Sequence, residues 1–73
     1  MTDTRRLVEK IAMSGLKLSY IANELGITYY SLSKKIHNKT EFKASEIKAM
    51  CNLLRINNLK EKEAIFFTTE VDK

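Results

Sequence analysis

At 73 residues with a net charge of +4, the chain has room for one small core and no second domain, so 1–73 reads as a single unit. One Cys, two Gly and no Pro exclude an internal disulfide and suit a helical bundle with short loops in a reducing cytoplasm. No apolar run approaches the roughly 20 residues of a membrane span, and the N-terminus lacks the apolar stretch of a signal peptide.

Residues 1–3 are expected to fray. Asp3 or Thr4 can cap a first helix running to about residue 13, with Leu7, Val8, Ile11 and Ala12 as its apolar stripe. Arg5 and Arg6 face out, either toward phosphate or simply toward solvent. Ser14 and Gly15 end this helix, and Leu16 folds back onto the core.

The centre of the chain is residues 18–38, LSYIANELGITYYSLSKKIHN. Ile21, Ala22 and Leu25 recur at helical spacing and stop at Gly26. Leu32 and Ile36 begin a second run just after Thr28. Glycine tolerates the positive φ that ends a helix, Ile27 is an apolar plug, and Thr28 can cap the next helix. Small Ala22 lets the two helices cross closely. This set predicts a helix-turn-helix of the nucleic-acid-binding kind, made by helices 2 and 3. Helix 2 has Lys17 where a capping Ser or Thr is usual.

Helix 3 is expected over about residues 29–37. With Leu32 and Ile36 inward, Tyr29, Tyr30, Ser33, Lys34 and His37 fall on or near the outward face. Lysine can donate to guanine O6 or N7, serine can bond either base type, and tyrosine can reach phosphate or a thymine methyl. The competing reading for the tyrosines is partial burial with a wet hydroxyl. Asn38 suits the left-handed end of that helix. Lys34, Lys35, Lys39 and Lys43 then fall close together, and Lys39 and Lys43 can hold a phosphate backbone. The charge agrees with this: residues 1–55 hold ten Lys or Arg against five acids, and residues 56–73 three against four.

Helix 4, about residues 44–54, has Ile47, Met50, Cys51 and Leu54 as an apolar stripe, so Cys51 reads as core. Asn57-Asn58 breaks the chain, and Asn58 with Glu61 starts a short fifth helix over about residues 59–66 with Leu59, Ile65 and Phe66 apolar. FFTTEV favours an extended tail over about residues 67–73. Phe66, Phe67 and Val71 are candidates for a homodimer contact. The expected fold is therefore all-α, a five-helix bundle.

With one His and one Cys, and no Gly-rich phosphate loop, nothing joins a nucleophile to a base or gathers metal ligands. No enzyme, catalytic residue, metal or cofactor is expected.

On Ala22, Leu25-Gly26-Ile27-Thr28, Leu32-Ser33 and Ile36, the chain resembles the lambda repressor and Cro-like helix-turn-helix family of phage regulators. The stretch IHNKTEFKASEI and the Phe-Phe pair near the end look like small Cro-type or repression-modulating proteins of phages of Gram-positive bacteria. The resemblance implies that helix 3 enters the major groove of operator DNA, often as a dimer on two half-sites. It gives base contact to Tyr29, Tyr30, Ser33 and Lys34, and phosphate contact to Thr28, Lys39 and Lys43. Two departures stand out. Tyr29 replaces the family's frequent Gln, which can bond adenine bidentately, and Lys17 replaces the usual cap of helix 2.

Two functions follow as expectations. One is a DNA-binding transcriptional regulator of a phage lysogeny switch. The other is a modulator that grips the phage repressor protein, since tyrosines are frequent in protein interfaces and poor at base-specific hydrogen bonding.

Overall fold

Apolar residues at helical spacing become five helices in the computed structural model, which describes residues 1–69. They are α1 (Thr4–Ser14), α2 (Leu18–Leu25), α3 (Tyr29–Ile36), α4 (Ala44–Leu54) and α5 (Leu59–Phe66). No strand occurs among the described residues, so the all-α architecture stands. No helix among them is long and apolar enough to cross a membrane.

One core serves all five helices. Leu7 and Ile11 come from α1, Ile21 and Ala22 from α2, Leu32 and Ile36 from α3, Ile47, Met50, Cys51 and Leu54 from α4, and Ile65 and Phe66 from α5. Leu16, Leu25 and Ile27 pack on its edge. Burial raises the Cys51 thiol above its ordinary pKa and keeps it protonated at neutral pH, as a small core residue requires. Val8 and Ala12 do not belong to the buried stripe of α1; both are exposed, because α1 rests on its neighbours along the narrower Leu7–Ile11 line.

The helix ends explain why the bundle closes in so few residues. Three of them use the same backbone device, in which the residue past the helix turns left-handed and two amides reach back to the last turn. At the end of α2, Gly26 (φ 74°) and Ile27 donate to the carbonyls of Asn23 and Ala22. At the end of α3, Asn38 (φ 62°) and Lys39 donate to Lys35 and Lys34. At the end of α4, Arg55 (φ 59°) and Ile56 donate to Asn52 and Cys51. The α4 helix therefore ends at Leu54, as its apolar stripe predicts, and Ile56 is buried as the plug that follows. Asn58 then caps α5 by accepting the amides of Lys60 and Glu61. Leu59, grouped with the apolar residues of this helix, is exposed at the first position of α5, about two turns before the buried Ile65 and Phe66.

The first residues are held rather than frayed. Thr2 is only 4% exposed. Its amide donates to Asn38 Oδ1 at 2.8 Å, and Asn38 Nδ2 donates back to the Thr2 carbonyl at 2.7 Å. The Asp3 amide donates to the Ile65 carbonyl at 2.6 Å, and the Thr68 amide donates to the Met1 carbonyl at 3.0 Å. Asp3 is also the side-chain cap of α1, accepting the Arg6 amide at 3.1 Å. Asn38 thus has two duties, a left-handed backbone and a bidentate clasp. Asn38→Ala is expected to cost about 2–3 kcal/mol, and Asn38→Gly only about half of that because glycine keeps the backbone conformation. Urea unfolding midpoints of the two variants check the order.

The Phe-Phe pair divides. Phe66 is 3% exposed and meets Phe42 edge-on, with ring centroids 5.5 Å apart, while Phe67 is 53% exposed. Phe66 is therefore spent on this chain's own core and is withdrawn from the expected dimer contact. Neighbouring residues at the end of a helix point about 100° apart, so one goes in and the other out. Val71 lies outside the described residues.

Candidate nucleic-acid interface

The geometry of α3 follows from which side of it is held. Thr28 caps its start, its hydroxyl oxygen accepting the Ser31 amide at 3.0 Å. That bond uses an acceptor lone pair and leaves the hydroxyl proton to be donated elsewhere. Leu32, Lys35 and Ile36 are buried and define the inward face. At roughly 100° per residue, Tyr30 and Lys34 then stand opposite that face. Tyr30 is 73% exposed, and the Lys34 ammonium lies 5.2 Å from the centre of its ring.

Tyr29 and Ser33 belong to a different stripe. Together with Val8, Ile11, Leu18, Ile36 and His37 they line a small cleft of about 140 Å³ between α3 and α1. Ser33 is half-buried there, and Tyr29 is exposed along its edge. The ring of His37 turns back onto the helix, where Nδ1 lies 2.9 Å from the Ser33 carbonyl. A carbonyl only accepts, so that nitrogen carries the proton. The four residues expected to face out as one reading surface are thus two pairs. Tyr30 and the half-buried Lys34 stand opposite the buried face, and Tyr29 and Ser33 flank them against α1.

Lys35 is the residue whose part the expectations missed. It is a member of the lysine cluster in sequence but turns the other way, into the protein. Its ammonium lies 3.0 Å from Glu46 Oε1 and donates to the Glu41 carbonyl at 3.1 Å. Glu46 is equally buried and also accepts the Lys43 amide at 2.8 Å. Burial alone would push the Glu46 carboxyl up. The Lys43 amide, the hydrogen bond from Lys35 and the charges of Lys35 and Lys43 outweigh it, and the pKa lies below the ordinary carboxylate value. This pair fastens the end of α3, the 37–43 loop and the start of α4 into one piece. A signal was present: Lys35 lies three residues after Leu32 and directly before Ile36, on the border of the apolar face.

That loop carries Lys39 and Lys43, both exposed. The Lys39 backbone is fixed by its 2.8 Å bond to the Lys34 carbonyl, and Lys43 is the residue from which α4 starts. Both lysines therefore extend exposed side chains from a fixed backbone. No protein-family model, curated protein or solved structure matches this chain.

Elsewhere, the basic residues of α1 are paired. Arg5 and Arg6 lean on Glu9 and Asp3 at 3.9 and 3.3 Å, and Lys10 bonds Glu61 at 2.9 Å. Lys17 begins α2 without a side-chain cap. Among the described residues, no group of three His, Cys, Asp or Glu could hold a metal ion.

Proposed function

We propose that this protein is a DNA-binding regulator that lays α3 in the major groove, with α2, the Gly26 turn and α3 acting as a helix-turn-helix. The observation that carries the reading is the division of α3. Its inner side is locked by Leu32, Lys35 and Ile36, and its outer side presents Tyr30 and Lys34, with Lys39 and Lys43 exposed on the loop that follows. A short, rigid, polar helix with cations at one end suits groove entry with phosphates gripped alongside. Thr28 supplies a hydroxyl donor, and Lys39 and Lys43 supply charge, to the same backbone. The resemblance to phage Cro-like regulators makes operator DNA of a lysogeny switch the substrate to try first. Phe67, exposed beside Met1, stays available for the expected self-association, as Phe66 does not.

A second reading has one observation in its favour. The cleft beside Tyr29 is largely apolar and lies next to exposed Val8, which suits an apolar side chain of a protein partner such as a phage repressor.

Fluorescence anisotropy with phage early-promoter duplexes at about 50 and about 200 mM salt, with and without the co-encoded repressor, tests both. Binding by the protein alone, weakening steeply with salt, is the expected result. Lys39→Ala should weaken all duplexes alike and lower the salt slope by about 1. Absence of DNA affinity at the lower salt would overturn the first reading, and binding only with repressor present would establish the second.

A further inference from the structure

Resting on the DNA-binding reading, we infer that Tyr30 and Lys34 form a single reading unit that selects a guanine with a thymine on a neighbouring base pair. The two side chains are one helical turn apart on the outermost line of α3. The Lys34 ammonium sits 5.2 Å from the Tyr30 ring centre, inside the range of about 6 Å over which a cation is drawn to an aromatic face. Among the described residues Lys34 has no carboxylate partner, whereas Lys10 and Lys35 each have one. The charge is therefore held by the ring and by nothing stronger.

This matters because lysine alone discriminates poorly. Its ammonium is a point charge on a flexible stem, and it satisfies a phosphate as readily as a base. Seated by the ring, it has a restricted position with N–H donors to spare. Guanine offers two adjacent acceptors in the major groove, O6 and N7, which suit such a donor. The ring contributes an apolar edge beside the charge, and the thymine methyl is the apolar group that the major groove offers. Residues one turn apart have Cβ atoms about 5–6 Å apart, against about 3.4 Å per base step along a strand. The two contacts then fall on neighbouring base pairs. Tyr29 and Ser33 stay out of this unit because they line the cleft against α1.

The test is selection from a randomised duplex library with the full chain, followed by anisotropy on the enriched duplex. A guanine next to a thymine should be enriched. Replacing that guanine by 7-deazaguanine should weaken binding about ten-fold or more, and replacing the thymine by uracil about four-fold. Tyr30→Phe should keep both preferences. Tyr30→Ala should erase the thymine preference and weaken the guanine preference, and Lys34→Gln should erase the guanine preference. Neither Tyr30 nor Lys34 is buried, and unchanged helical circular dichroism of the three variants verifies folding. If no guanine–thymine preference emerges, or if Tyr30→Ala and Lys34→Gln leave it intact, the reading unit falls. In that case Lys39→Ala still weakening every duplex would leave the DNA-binding proposal standing. If no duplex binds at low salt, both fall.

Discussion

Lys35→Ala is expected to cost about 3–5 kcal/mol of folding stability, the largest loss of any single charged residue here. The cost comes less from the lost attraction than from what remains. Glu46 is buried and would keep only the Lys43 amide as a partner. The Glu41 carbonyl would lose its donor as well. Domains of this size have about 5–15 kcal/mol to lose, so the variant should be marginal at room temperature. The double variant Lys35→Met with Glu46→Leu should recover most of the loss, because it leaves no charge stranded. Urea denaturation of the three proteins measures this. The pH dependence has a definite sign. The folded Glu46 carboxyl titrates below its ordinary value, so its contribution is fully present above that value. It is lost as pH falls through the lower folded pKa. Wild-type stability should drop in that acid window, and the double variant should drop less.

Leu32→Ala is expected to cost about 2–5 kcal/mol, because Leu32 is completely buried and the helices around it have no slack to fill the space. The effect should reach function through α3. Leu32 and Ile36 set the rotation of that helix about its axis, and Tyr30 and Lys34 face out only because those two face in. Thermal melts should show the lost stability. DNA affinity measured well below the melting temperature should fall too, while the affinity of Lys39→Ala falls with its melting temperature unchanged.

The helices were legible because apolar spacing and stop residues agree at each one. Ile21, Ala22 and Leu25 before Gly26, and Leu32 and Ile36 after Thr28, leave little freedom in where α2 and α3 lie. Asn38 is the left-handed residue at the end of α3, a conformation that asparagine tolerates. The rest depends on contacts between residues far apart in the chain, which spacing does not encode. Burial of Thr2 needs the Asn38 amide to be facing it. Burial of Lys35 needs Glu46 to arrive from the next helix. Phe66 and Phe67 are identical in kind, and only the docking of α5 decides which one the core receives. At the candidate site, the sequence puts Tyr29, Tyr30, Ser33 and Lys34 on one helix, and all four lie on α3. It could not divide them into an outer pair and a pair against α1, because that division depends on where α1 crosses.

The clasp between the first residues and the ends of α3 and α5 has a consequence for how the chain folds. The Met1–Thr68 and Asp3–Ile65 bonds join opposite ends of the sequence and close the chain into a ring. Closing so long a loop is entropically costly and yields little until the helices between are in place. The α2–α3–α4 segment is joined by short turns and can assemble first from local contacts. In native-state hydrogen exchange, the amides of Thr2, Asp3 and Thr68 should form their own unit and open at lower free energy than those of α2 and α4. The ring opens and shuts at its seam while the central helices stay folded.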